Sequence, residues 1–193
     1  MLENLNKYKV ILASNSPRRK ELLGGLGITY EVKTMSDIDE SYPEGLDAED
    51  IPIYIARTKA DAYRSMMQFD ELIVTADTIV WSDGRVMGKP DNEKDALDML
   101  WHLSGKTHQV ITGVCLTTVD KQISFATTTD VTFAELSKEE IEYYVSNYKP
   151  MDKAGAYGIQ EWIGYIGVQN ISGSYFNVVG LPIQRLYTEL KQL

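Results

Sequence analysis

A single cysteine, Cys115, occurs in 193 residues, which excludes an internal disulfide and any cysteine-built metal cluster. Histidine is almost as scarce: the 2 present, His102 and His108, are poorly spaced for zinc and fall in no recognisable nucleophilic triad. His102 reads as helix surface and His108 as a structural polar residue near a strand start. Basic residues are outnumbered, with 19 Lys and Arg against 28 Asp and Glu, a formal net charge of -9 and a pI of about 4.7. A surface of that sign repels nucleic-acid backbones, so no polynucleotide partner is expected, whereas a small anion in a local basic pocket is allowed. No apolar run is long enough to span a bilayer, and the polar segment Met1 to Lys9 lacks the apolar stretch of a secretion signal. A soluble, cytoplasmic protein with no membrane partner is the expectation. Absent too are a Gly-x-x-x-x-Gly-Lys-Ser/Thr phosphate loop and a dinucleotide-binding glycine fingerprint.

What is present suffices for a real core. Hydrophobic residues make up 44% of the chain, enough for one large domain or two small lobes. Lys9 to Ser14 reads as a first strand, followed by a helix whose start is marked by Ser16 as capping hydroxyl and Pro17 at the first helical position. Gly24, Gly25 and Gly27 close it. Glu31 to Gly45 reads as an acidic, turn-rich connection, Ile51 to Met67 as a helix, and Leu72 to Trp81 as a buried strand. Asp83-Gly84 marks a hairpin-like turn, a helix runs from about Asn92 to Leu103, and Ser104-Gly105 ends it. The β-rich runs His108 to Val119 and Ile123 to Phe133 read as antiparallel neighbours, and Ser137 with Glu140 forms a capping-box signature for a helix from Lys138 to Asn147. Glycine-rich turns then alternate with Gly164 to Gln169 and Tyr175 to Val179 before a helix from Pro182 onwards. That order argues for a mixed α/β fold with an antiparallel portion.

Several residues stand out against this background. Arg18 and Arg19 lie in the first turn of a helix, where the dipole is already positive, so they cost stability unless an anion uses them; the alternative is a solvated basic turn. Asp77 is a carboxylate in the middle of an apolar strand, expensive to bury without a cation or metal, unless it faces solvent from an edge strand. Lys59 falls on the stripe Ile55, Lys59, Tyr63 and Met66, pointing it inward, with snorkelling of its stem as the alternative. Lys89, between Gly88 and Pro90, sits on a constrained turn able to aim its ammonium at a phosphate or to be an ordinary loop lysine. Asp39 and Glu40 lie in an acidic loop able to offer oxygen to magnesium or simply to be solvated. In Asp152 to Gln160 the small residues allow close approach to a ligand, and the Gln160 amide can read a base edge. Tyr143-Tyr144 is read as a packing face.

Taken together, these segments resemble the Maf-like nucleotide pyrophosphatases over nearly the whole chain. The ordered blocks are Ser14 to Arg19, Ala56 to Ala60, Ala76-Asp77-Thr78, Gly88-Lys89-Pro90, Ser104-Gly105 through His108 to Gly113, Asp152 to Gln160, and Gly173-Ser174-Tyr175 through Gly180-Leu181-Pro182. The resemblance implies a single domain over 1–193 with two lobes: an elongated α/β fold, a twisted mixed β-sheet flanked by helices, and a cleft between the lobes, with homodimerisation. It implies a hydrolase that cuts the α-β phosphoanhydride of a nucleoside triphosphate, dTTP or UTP by the form of the Asp152 to Gln160 block, with a divalent cation (Mg²⁺, Mn²⁺ or Co²⁺) as cofactor. Asp77 is implied as proton acceptor; Arg18, Thr78 and Gln160 as setting substrate choice; Ser16, Arg19, Lys59 and Lys89 as lining the phosphate site; and Glu40 as helping to hold the metal. Asp77 is either the base or itself a metal ligand. One departure is that Glu161-Trp162 replaces the small, glycine-rich continuation common after this glutamine. Two rival readings stand beside this one: a nucleotide-binding regulator without hydrolysis, and a pyrophosphatase for other or modified nucleotides.

Overall fold

The computed structural model describes residues 2–193. One mixed sheet of seven strands organises it, in the order β2-β1-β3-β5-β6-β7 with β4 paired to β3 off that path. The strands are β1 (Lys9–Leu12), β2 (Glu31–Val32), β3 (Glu71–Ser82), β4 (Arg85–Met87), β5 (Thr107–Thr117), β6 (Gln122–Phe133) and β7 (Val168–Ser172). β1 pairs in parallel with β2 and β3, whereas β3 with β4 and β6 with β7 are antiparallel. The chain divides into two compact units, the first comprising residues up to Asp77, Thr112–Thr127 and Gly180–Leu193, the second Thr78–Ile111 and Thr128–Val179. Among the described residues no helix is long and apolar enough to cross a membrane.

In the first unit the alternation of β1 and β3 sorts two faces. Val10 and Leu12 of β1, in register with Leu72 and Val74 of β3, pack with Leu23 of helix α1 (Pro17–Gly24) and with Leu186 and Leu190 of the C-terminal helix Ile183–Leu190. Ile11 and its partner Ile73 face the other way, against Tyr63 of α2 (Asp50–Arg64). Ala56 and Ala60 of the same helix meet Cys115 of β5. Helices on both faces explain why β3 reads as a nearly unbroken apolar run instead of an alternating one.

The second unit closes around Val80, Leu100, Phe133, Ile141, Tyr144 and Tyr157. Its helices are α3 (Glu93–Leu103), α4 (Lys138–Tyr148), α5 (Trp162–Gly167) and α6 (Tyr175–Val179), which makes the C-terminal helix α7. Local signals act here as expected. Asp83 and Gly84 both take positive φ, 50° and 77°, in the β3–β4 turn, the geometry that matches strand twist. The Asn92 side chain caps α3, and the Ser137–Glu140 capping box is formed at both ends.

Other expectations are corrected. Met66 is not on the buried stripe of α2, because the helix ends at Arg64 with Ser65 as cap, and the side chain is 62% exposed. The Glu31–Gly45 connection contains the short strand β2, formed by pairing with β1. The glycine-rich C-terminal stretch holds α5, β7 and α6. Of the tyrosine pair only Tyr144 is buried; Tyr143 is half-exposed and lies edge-on to Trp162.

Candidate active site

At the start of α1 the Ser16 hydroxyl accepts from the Arg19 backbone N–H, and the Ser16 N–H donates to the Ser14 hydroxyl. The Arg19 side chain reaches inward. Its Nε donates to the Gly180 carbonyl at 2.8 Å and its Nη1 to the Ala76 carbonyl at 2.9 Å. Part of the guanidinium is therefore a brace that fixes β3 one residue before Asp77. Burial pushes this guanidinium below its ordinary pKa, and Asp77 is the strongest influence opposing that shift. Arg18 is partly buried in the same helical turn.

Asp77 lies on the α2 face of β3. Alternation carries it there from Ile73 through Thr75, whose hydroxyl donates to the Ala56 carbonyl of α2 at 2.7 Å. One helical step from Ala56, Lys59 reaches the same place, and its ammonium stands 2.8 Å from Asp77 Oδ1 and 3.1 Å from Glu40 Oε1. The side chains of Lys59 and Asp77 are 14% and 13% exposed, against 49% for Glu40. β3 is flanked by β1 and β5, so Asp77 is not on an edge strand, and Lys59 points inward instead of snorkelling. Asp39 does not join them: its carboxylate turns back to accept from the Ser41 N–H at 2.9 Å, which holds its pKa below the ordinary value.

Two carboxylates converging on one ammonium already hold a cation. Among the described residues there is no group of three or more His, Cys, Asp or Glu able to enclose a metal. The donor set suits a hard divalent ion that takes one or two carboxylates and completes its shell from phosphate oxygens and water.

The remaining candidates lie in the second unit. Thr78 follows Asp77 in β3 and is partly buried. Lys89 is exposed, on a turn whose Gly88 carbonyl accepts from the Gly155 N–H at 3.0 Å. That bond ties the Lys89 turn to the segment carrying Gln160. Gly155 has φ of +66°, and a Cβ there would lie 2.8 Å from Val80 Cγ2. The Tyr157 hydroxyl lies 2.7 Å from His108 Nε2, and both rings stack edge-on with Phe133. Burial lowers the His108 pKa to about 4, so the ring is neutral at pH 7, a structural group as the sequence implied. Gln160 Oε1 is buried without a hydrogen-bond partner among the described residues.

His102 is not simple helix surface. Arg85 Nη2 lies 3.1 Å from its Nδ1, and an arginine can only donate, so Nδ1 accepts and Nε2 carries the proton. Nε2 then faces both Ser82 Oγ and Asp83 Oδ2, each at 3.2 Å. Serine and aspartate share one nitrogen, so no nucleophilic relay is built. Sequence reading gave Lys153, within the Asp152 to Gln160 block, and Glu161, noted there only as a departure, no role of their own; their side chains meet at 3.1 Å beside Gln160.

The model of a family described as Maf-like protein matches residues 9–193. The chain belongs to the Maf-like family. Among its relatives, a protein of Phocaeicola vulgatus named dTTP/UTP pyrophosphatase is 75% identical over 193 residues, covering 100% of both chains. One of Bacteroides fragilis with the same name is 65% identical over 193 residues, again 100% of both. A Flavobacterium johnsoniae protein, also so named, is 46% identical over 191 residues, 99% of this chain and 98% of the relative. Among solved structures, a HAM1 protein from Coxiella burnetii superposes with a TM-score of 0.50 at 14% identity, covering 96% of this Maf-like chain and 100% of the other. That likeness is one of fold, an α/β arrangement with a mixed sheet flanked by helices.

Proposed function

We infer that this protein is a dTTP/UTP pyrophosphatase: water adds across the α-β phosphoanhydride, giving the nucleoside monophosphate and pyrophosphate. Identity of 75% along the entire chain to a relative of that name carries the reading, and the charged set around Asp77 supplies it with chemistry. Hydrolysis of a triphosphate needs its negative charge offset, a water placed in line and a group to take the water's proton.

The residues divide accordingly. Asp77, anchored by the Lys59 ammonium at 2.8 Å, either takes the water's proton or serves as a ligand for the metal. Arg18 and Arg19 at the α1 N-terminus, with Ser16, Lys59 and Lys89, take the phosphates, while the brace from Arg19 to Ala76 keeps the Asp77 backbone in place. Glu40 and Asp77 are the side chains that would hold Mg²⁺, Mn²⁺ or Co²⁺, which when bound neutralises phosphate charge and acidifies water. A triphosphate entering this set competes with both carboxylates for Lys59. Thr78, Arg18 and Gln160 set base choice; the Gln160 Oε1, without a hydrogen-bond partner among the described residues, is an acceptor suited to the N3–H of uracil or thymine. In this reading the chain is a single domain of two lobes, cytoplasmic, a homodimer, with a free nucleotide and no polynucleotide or membrane as partner.

The test is product analysis with Mn²⁺ across UTP, dTTP, CTP, ITP and 7-methyl-GTP. Pyrophosphate with UMP or dTMP, formed faster than from the other three, is the expected result. Triphosphate recovered intact would make the protein a nucleotide-binding regulator, and equal rates for all bases would remove Gln160 from base choice.

A further inference from the structure

Outside the Asp77 set, a second group of titratable side chains closes on itself inside the second unit. The Lys153 ammonium, in a residue only 9% exposed, lies 2.8 Å from Asp152 Oδ1 and 3.1 Å from Glu161 Oε1. The other oxygen of Glu161 accepts from the Tyr144 hydroxyl, and that hydroxyl itself accepts from the Gly158 N–H at 3.0 Å. Burial, reinforced by Glu161, pushes the Tyr144 hydroxyl above its ordinary range, so it stays a donor.

These contacts surround one turn. The Glu161 N–H donates to the Gly158 carbonyl at 2.9 Å, making Gln160 the third residue of a closed Gly158–Glu161 turn. Side chains of Glu161 and Lys153 lie over its first residue: a Cβ on Gly158 would sit 2.9 Å from Glu161 Cδ and 3.1 Å from Lys153 Cε. The turn is thus held at its first residue by Tyr144 and at its last by Lys153 and Tyr144 together. Gln160, between them, buries an amide oxygen that no donor among the described residues satisfies. An unsatisfied buried acceptor is costly and would swing toward a partner if its backbone allowed. Its direction therefore comes from the turn. A mostly buried ion pair contributes little net stability over an apolar substitute, and its best attested use is to specify one geometry.

We infer that Glu161 is a specificity-positioning residue: held by the Lys153 ammonium and the Tyr144 hydroxyl, its carboxylate fixes the turn that aims the Gln160 amide, and so governs base choice without touching the nucleotide. This rests on the assignment of base reading to Gln160, and the experiment separates the two. Kinetics of UTP and CTP, which share ribose and triphosphate and differ at N3 and C4, are compared for the parent, Glu161→Ala, Glu161→Gln, Tyr144→Phe and Gln160→Ala. The preference for UTP in kcat/KM should fall about tenfold in Glu161→Ala and in Tyr144→Phe, the scale of one lost hydrogen bond. The fall should lie in KM, with kcat changed less than about threefold. Glu161→Gln, which keeps an acceptor for Tyr144 but loses the charge that pairs with Lys153, should retain part of the preference. An unchanged preference in every Glu161 and Tyr144 variant, with a collapse in Gln160→Ala, overturns the role of Glu161 alone. An unchanged preference in Gln160→Ala overturns the base-reading assignment and this inference with it. Equal loss on UTP and CTP in Glu161→Gln, the variant least disturbing to folding, leaves Glu161 as mere support and also overturns it.

Discussion

Around Asp77 the first unit places its polar groups through charged side chains, Lys59 lying between Asp77 and Glu40 and the Arg19 guanidinium donating back to two carbonyls. Around Tyr157 the second unit holds its groups by burial, with a neutral His108 on the tyrosine hydroxyl and Phe133 edge-on to both rings. The difference in force has a functional meaning. An ion pair can be exchanged for a ligand's charge, because a phosphate competes for the same ammonium that a carboxylate now occupies. A seat of interlocked rings has no such substitute, and keeps one shape whatever charge arrives. Exchangeable charge thus surrounds Asp77, where the proposed reaction changes charge, whereas the segment proposed to choose a base rests on packed rings together with the internal Lys153–Glu161 pair.

The sharpest way to break this contrast is Asp77→Asn. It should lower kcat by roughly 10²-fold or more, the scale of a lost general base, and lower it by the same factor for UTP, dTTP and CTP, with the circular-dichroism spectrum unchanged. A change in base preference of that variant would mean that chemistry and choice are not divided between the two regions.

Next in size is a pH effect confined to the second unit. Burial lowers the folded-state pKa of His108 from 6.5 to about 4, so its stabilisation is complete above pH 6.5 and is lost as pH falls from there towards 4. That loss amounts to roughly 3 kcal/mol on the usual conversion. In the first unit Glu71, only 2% exposed, is held below its ordinary carboxyl pKa of 4.5 by Lys33 despite the opposing effect of burial. Its contribution is full above pH 4.5 and is lost only as pH falls through the lowered value. Between pH 6.5 and 5, therefore, amide exchange corrected for intrinsic rate should accelerate in β4, α3 and α4 while β1 and β2 stay protected. His108→Gln should flatten the slope of urea midpoint against pH over that interval; a slope that survives the substitution assigns the acid sensitivity elsewhere.

What the sequence disclosed follows the range of the forces involved. The α1 cap was legible because Ser16 and Pro17 act within one turn, and the capping box of α4 for the same reason. Lys59 and Asp77 were legible through periodicity, since a stripe on a helix and a carboxylate in an apolar strand each name the face they occupy. Met66 was misplaced because Ser65 is a weak stop and the apolar spacing runs on past it. β2 was invisible because two residues, of which only Val32 favours a strand, are too few to show alternation; pairing with β1 makes it one. The Arg19 brace joins residues 57 and 161 positions apart, and no local pattern encodes such a contact. Glu161 stands out in the sequence as an oddity, yet the Tyr143-Tyr144 pair marks its partner Tyr144 only as packing. Alternation and capping are written locally, whereas the partners of a buried polar group are chosen by the finished fold.

The smallest expected effect tests how rigid the second region must be. Gly155 sits at φ +66° with its N–H on the Gly88 carbonyl, and Val80, 2% exposed, leaves no room for a methyl group. Alanine there meets the left-handed backbone cost of about 1–2 kcal/mol and a contact of 2.8 Å with Val80 Cγ2. Gly155→Ala should destabilise the protein by about 2 kcal/mol in urea titration and raise KM for UTP more than it lowers kcat, because the segment shifts while the Asp77 set is untouched. In a Val80→Ala background the contact disappears and the backbone cost stays, so the same substitution should cost about 1 kcal/mol less there. Equal costs in both backgrounds would leave backbone conformation as the sole constraint at Gly155, and a fall in kcat matching that of Asp77→Asn would show that the second region bears on the chemical step as strongly as the first.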